Sequence, residues 1–211
     1  DLRNELVDLA RKAGLLTFQA PRRFGGREPS HCEQAVLYEA AGWSTLGPVA
    51  LNCAAPDEGN MFILGKIATE AQAEEFLVPV IDGHQRSVFA MTEPGGAGSD
   101  PDQLTTEAIF DGQQYVINGR KWLITGANGA RTWIIMARVA PNPHGGDGPT
   151  LFLCDGRTPG IELERVMDTM DRNYVEGHGV VRFDNLTLPA SAVLGEVGQA
   201  LRYAQMRLAP A

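Results

Sequence analysis

Phe89-Ala90-Met91-Thr92-Glu93-Pro94-Gly95-Gly96-Ala97-Gly98-Ser99-Asp100 is the stretch from which the fold can be read. An apolar run with strand character ends at Thr92, because Pro94 has no N–H to give to a ladder. A glycine-rich bend follows and closes on a hydroxyl and a carboxylate. A rigid strand that ends this way offers backbone N–H groups and small hydroxyls where something flat and anionic can approach. The segment Asn118-Gly119-Arg120-Lys121-Trp122-Leu123-Ile124-Thr125-Gly126 repeats the arrangement, again ending in Thr and Gly. Thr92 and Thr125, on neighbouring strands, could grip one planar ring.

Outward from these segments the chain divides by period. From about Arg86 apolar residues alternate, and short runs rich in Val, Ile and Thr predict strands over 103–110, 115–118, 121–125, 132–139, 150–154, 161–167 and 180–188. Asp111-Gly112 and Asn118-Gly119 read as hairpin turns, since both residues of a type I′ turn need positive φ. Closely spaced strands without intervening helices predict an antiparallel barrel or sandwich and exclude a Rossmann unit. Before Arg86 the spacing is helical: Leu2, Leu6, Leu9, Ala10 and Ala13 recur on one face and Gly14 stops the run. Ser30 with Glu33 and Thr69 with Gln72 have the capping-box pattern. The expected architecture is α+β: a helical N-terminal part over 1–85, an antiparallel β domain over 86–195, and the start of further helix over 196–211. Asp57 and Asn60 read as helix-capping residues, with a functional role as the alternative.

Composition narrows the function classes. With 44% hydrophobic and 21% charged residues, the 211-residue chain reads as globular. A net charge of −8 without a Lys/Arg cluster argues against a nucleic-acid surface. Cys32, Cys53 and Cys154 are widely spaced and read as reduced thiols, and the scattered histidines suggest no metal site. No run has the length of a membrane span, and no signal-peptide pattern is visible. The glycine-rich bend matches neither GxGxxG nor a P-loop.

The first segment resembles the aromatic-x-x-Thr-Glu-Pro…Gly-Ser-Asp motif of the acyl-CoA dehydrogenase family, and the second its Asn-Gly-x-Lys-x-Trp-Ile-Thr motif. Asn52–Met61 and the extra residue within Glu93–Ser99 resemble the branch whose larger members carry a fused phosphotransferase-like domain. Val181–Pro189 followed by Leu194-Gly195-Glu196 is similar to the closing strand of the family's β domain. The resemblance implies FAD as cofactor. Phe89 and Met91 would lie along the flavin ring and Thr92 would donate to its pyrimidine edge. Gly98 and Ser99 would meet the pyrophosphate, with Ser99 also reaching the thioester end of the substrate. Thr125 would place its hydroxyl beside N5, next to Leu123 and Ile124. Leu123 stands where most members have a ring-packing Trp, and Trp122 would point to the opposite face.

The family dehydrogenates acyl-CoA thioesters at the α,β bond and passes the electrons to an electron-transfer flavoprotein. Its catalytic base lies in a C-terminal four-helix domain that this chain lacks. No catalytic residue is therefore expected within residues 1–211, and the segment alone should be inactive. The whole protein is expected to be a homo-oligomer without a membrane span, cytoplasmic in a bacterium or mitochondrial or peroxisomal in a eukaryote. Same-fold acyl-CoA oxidases and flavin monooxygenases are alternatives, as is a non-catalytic homologue that serves as a binding module.

Overall fold

The computed structural model describes residues 2–95, 100, 103–141, 146–170 and 177–208. Gly98 and Ser99 lie outside the described residues. Helices come first: α1 (Leu2–Lys12), α2 (His31–Gly42), α3 (Gly47–Ala50) and α4 (Asp57–Ile67). A continuous helical stretch follows, made of α5 (Glu70–Gln72), a π-helical turn (Ala73–Leu77) and α6 (Val78–Ile81). Strands β1 (Ser87–Ala90), β2 (Glu107–Phe110), β3 (Gln114–Thr125), β4 (Thr132–Val139), β5 (Gly148–Asp155), β6 (Ile161–Val166), β7 (His178–Pro189) and β8 (Val193–Leu194) come next. The last described element is α7 (Ala200–Leu208).

Helix starts obey local chemistry. Ser30 accepts from the Glu33 N–H while the Glu33 carboxylate accepts from the Ser30 N–H at 2.8 Å. Thr69 and Gln72 make the same reciprocal pair at the head of α5. In α1 the buried residues are Val7 and Ala10, whereas Leu2 and Leu9 stand exposed, so the buried face is rotated from the leucine stripe that the spacing suggests.

The strands form one sheet in the order β6-β7-β3-β2-β4-β5-β8, with β1 beside β4. Pairings β2–β3, β3–β7, β4–β5, β5–β8 and β6–β7 are antiparallel. β1–β4 and β2–β4 are parallel, so the sheet is mixed at β4 although no α-helix intervenes between β1 and β7 among the described residues. The Asp111-Gly112 hairpin is present: Asp111 Oδ1 accepts from the N–H groups of Gln113 and Gln114, both at 2.9 Å. Asn118-Gly119 is not a turn. β3 runs straight through it, with a register shift against β7 between Ile117 and Gly119. Gly119 serves close approach, because a Cβ there would lie 2.4 Å from Thr106 Oγ1 and 2.7 Å from Thr106 Cα.

β4 explains how the two parts join. It is apolar along its length because both of its faces are covered. Trp133, Ile135, Ala137 and Val139 enter a core with Ile117, Phe152, Val181 and Phe183 inside the curled sheet. Ile134 and Met136 join Leu151 and Leu153 on the other face, against Met61, Leu64, Leu77 and Val80 of the helical layer. α7 lies on that second face, with Ala200, Tyr203 and Ala204 in the same core.

Candidate functional site

The two motif segments meet at the helix-facing side of the sheet. On β1 alternation sends Val88 and Ala90 into the sheet core and leaves Phe89 half-buried toward the helices, followed by Met91. On β3 a second irregularity falls between Lys121 and Ile124. It breaks the alternation, so that Lys121 and Ile124, three positions apart, both point inward at 0% and 1% exposure. Leu123 takes up the extra residue at φ +56°. Its side chain, 44% exposed, is turned out beside that of Thr125.

The result is a cleft of about 520 Å³ between the sheet and the helices. Phe89, Met91, Thr92, Leu123 and Thr125 line its sheet side. Ala55 and Pro56 ahead of α4, with Leu201, Ala204 and Arg207 of α7, line the other. Of the residues singled out in the sequence, Ile124 is not among the cleft residues: its side chain is in the sheet core, so only its backbone could meet a ligand there.

Polar contacts fix the sheet side. Trp122 donates its N–H to the Thr92 carbonyl at 3.1 Å. The Thr92 hydroxyl donates to the Trp122 carbonyl at 2.8 Å. Without a ligand, the Thr92 hydroxyl proton is thus engaged within the protein. Thr125 Oγ1 shares a hydrogen bond of 2.9 Å with His178 Nδ1 on β7.

Beneath these residues lies a buried ion pair that the motif reading passed over. Lys121 Nζ donates to Glu93 Oε1 at 2.8 Å and to the Met91 carbonyl at 2.9 Å. Glu93 also accepts from the N–H and hydroxyl of Thr105 at 2.7 and 2.6 Å and from the Thr106 N–H at 2.9 Å. Burial would raise the Glu93 carboxyl, but the Lys121 ammonium and these hydrogen bonds outweigh it and hold it at about 2. Burial pulls the Lys121 ammonium down to about 8, with Glu93 opposing. The signal was present in the sequence: Lys121 is a charge set within a strand-like run and Glu93 directly follows one, and such charges are buried only when paired.

Asp57 and Asn60 do not cap α4; Pro56 occupies the N-cap and no side chain bonds there. Asp57, at 2% exposure, accepts from Arg86 Nε at 2.5 Å and from the N–H and hydroxyl of Ser87, both at 2.6 Å. Asn60 donates to Ser87 Oγ at 2.9 Å and accepts from Arg207 Nε at 2.8 Å. The chain Arg86–Asp57–Ser87–Asn60–Arg207 thus ties α4 to the head of β1 and to α7. It sets the position of Phe89, two residues on. Among the described residues no group of His, Cys, Asp or Glu could hold a metal, and no helix is long and apolar enough to cross a membrane. The three cysteines are free thiols.

With this geometry in place, two family models match the chain: the acyl-CoA dehydrogenase N-terminal domain over residues 1–84 and the middle domain over 88–186. A relative named probable acyl-CoA dehydrogenase FadE2, from Mycobacterium tuberculosis, is 41% identical over 86% of this chain and 45% of its own length. Acyl-CoA dehydrogenase family member 11 of Mus musculus is 34% identical over 98% of this chain and 27% of its own length. Among solved structures, a Mycobacterium abscessus protein assigned to the acyl-CoA dehydrogenases superposes with a TM-score of 0.90 at 39% identity, over 99% of this chain and 52% of that one. Butyryl-CoA dehydrogenase of Megasphaera elsdenii superposes at 0.78 with 27% identity, over 98% and 54%. The chain thus spans about half, or less, of the proteins it matches. By sequence and by fold, it belongs to the acyl-CoA dehydrogenase family, of which it carries the N-terminal and middle domains.

Proposed function

We propose that this chain is the flavin-contacting part of an FAD-dependent acyl-CoA dehydrogenase. The whole protein would oxidise an acyl-CoA thioester at its α,β bond and hand the electrons to an electron-transfer flavoprotein. The observation that carries the reading is the meeting of Phe89–Thr92 and Leu123–Thr125 on one cleft, fastened together by the Lys121–Glu93 pair. FAD, when bound, supplies the hydride-accepting chemistry, and the protein positions it and tunes its electronics.

The chain's own residues suit a flat, amphipathic ring. Phe89, Met91 and Leu123 give it an apolar bed. Thr92 and Thr125 bring hydroxyl oxygens to the edges, and each is held by a partner before any ligand arrives. Preorganisation of this kind spares the ordering cost of binding. Leu123 offers less stacking surface than an aromatic residue, so the ring is held here more by its edges than by its face. In this reading the α-proton is taken by a carboxylate beyond residue 211, and residues 1–211 act by binding and orientation alone.

The test uses the full-length protein under anaerobic conditions, titrated with acyl-CoA thioesters of graded length while the absorbance of oxidised flavin is followed. Stoichiometric bleaching by a thioester, with slow recovery in air, is the expected result. A protein that carries no flavin, or whose flavin no thioester bleaches, would overturn the reading. Fast recovery in air would assign an oxidase instead.

A further inference from the structure

Thr92 and Thr125 line the same cleft, but their hydroxyls have partners of different kinds. Thr92 bonds the Trp122 carbonyl, an oxygen that can only accept. Thr125 Oγ1 lies 2.9 Å from His178 Nδ1, a ring nitrogen that donates or accepts according to whether it carries the proton. The sheet builds this contact. Thr125 and His178 are register partners on β3 and β7. The Gly126 N–H bonds the Gly177 carbonyl at 2.9 Å and the Met167 N–H bonds the His178 carbonyl at 2.8 Å, so this stretch of β7 is held from both sides. Gly179 adds close packing, since a Cβ there would stand 2.6 Å from Ala127 Cβ and 2.8 Å from Leu163 Cδ1. His178 is half-buried and is not among the cleft residues, so it reaches a ligand there through Thr125.

A hydroxyl has one proton and each hydrogen bond needs one, so the bonds that Thr125 makes on its two sides are coupled. When Nδ1 carries a proton it donates to Thr125, whose own proton then turns to the cleft. When Nδ1 is bare the Thr125 proton turns to it, and the oxygen offers lone pairs to the cleft instead. The Thr125 edge can therefore serve a ligand atom that changes from acceptor to donor. A flavin has such an atom at N5, bare in the oxidised ring and N–H in the reduced one, whereas its carbonyls and its N3–H keep their roles. We propose that His178 is a positioning residue that reverses the sense of its bond to Thr125 when the flavin is reduced, so that Thr125 stays bonded to N5 in both redox states. This rests on the reading of the cleft as a flavin site. The two electrons and the N5 hydrogen come from the reductant and solvent, and His178 supplies neither. The proton lost at Nδ1 is matched by one gained at Nε2 through water, so the imidazole stays neutral.

The test uses the full-length protein, loaded with FAD and carrying ¹⁵N-labelled histidine. Solid-state NMR tells a ring nitrogen that carries a proton from a bare one, and the signals missing from His178→Asn assign those of His178. Dithionite does the reducing, so the outcome does not depend on which thioester is a substrate. In wild type Nδ1 should carry the proton with oxidised FAD and be bare with reduced FAD. In Thr125→Val that response should vanish, because the link is cut. His178→Phe should bind both redox states about 3- to 10-fold more weakly, the range for one neutral hydrogen bond. His178→Asn keeps a donor and an acceptor and should restore part of that loss. The proposal is overturned if Nδ1 holds the same state with both forms of FAD. It is also overturned if the response survives in Thr125→Val, which would mean that the imidazole senses the charge of the flavin directly. So would be a loss in His178→Phe confined to one redox state: a tenfold loss of that kind moves a two-electron potential by about 30 mV and marks a partner with a fixed role. A full-length protein that takes up no FAD would overturn the cofactor reading and this inference together, whereas FAD bound beside an unresponsive His178 would overturn the inference alone.

Discussion

Lys121 shows how much a single side chain settles in this site. It is fully buried, its pair with Glu93 joins the two motif segments, and its second bond holds the Met91 carbonyl. Lys121→Met leaves Glu93 as an unpaired buried charge, and denaturant unfolding of the variant should show a loss of roughly 3–5 kcal/mol. The same pair gives an acid signature. Glu93 sits at about 2 against an ordinary 4.5, so between those values the unfolded chain binds a proton that the folded chain does not. Its contribution is complete above the upper value and is lost as pH falls toward the lower. Thermal melts from pH 5 to pH 2 should steepen in wild type, and Glu93→Gln should flatten that limb while lowering the melting temperature at neutral pH. Gly119 belongs to this scale too. Gly119→Ala would press on Thr106, a Glu93 donor, and should cost about 1–3 kcal/mol as an overpacked contact. The sequence made Thr92 and Thr125 stand out because they end strand-like runs. It could not show that the Thr92 proton is already committed to Trp122, because that bond depends on the register of two segments 30 residues apart.

At the scale of elements, the junction between α4 and β1 carries the most consequence. The spacing of Asp57 and Asn60 at the head of a helix is what capping looks like in one dimension, and only the position of β1 reveals the Arg86 and Ser87 partners. The two roles differ in magnitude. Loss of a cap costs about 1 kcal/mol, whereas removing Asp57 strands a buried arginine and should cost roughly 3–5 kcal/mol. Equilibrium unfolding of Asp57→Ala decides between them, and a loss near the lower figure would return Asp57 to a capping role. The strand region was legible through its period of two and through the Asp111-Gly112 turn. Asn118-Gly119 misled because the same dipeptide also suits an irregularity within a long strand, where close approach to Thr106 demands the glycine. The Lys121–Ile124 shift was illegible for a related reason, since one inserted residue leaves composition untouched while re-aiming every side chain after it.

Across the whole molecule, β4 unites the parts. Its two buried faces make the helical layer and the sheet share one strand, and the cleft forms where that joint opens between β1, β3 and α7. The run Trp133–Ala137 was readable as a buried strand from its apolar continuity, but its parallel pairing with both β1 and β2 was not, since connection order alone suggested only hairpins. This chain spans only about half of the solved structures it matches, so its cleft alone should hold the cofactor weakly. Residues 1–211 expressed alone should therefore retain less FAD than the full-length protein and show no acyl-CoA-dependent dye reduction; comparable values for both would place a base within this chain. The central claim is that the two motif segments hold the flavin ring. A crystal structure of the FAD-loaded full-length protein tests it most directly. The ring should lie in the cleft against Phe89, Met91 and Leu123, with the oxygens of Thr92 and Thr125 within about 3 Å of its edge. A ring bound elsewhere, with Thr92 and Thr125 facing solvent, would contradict the account.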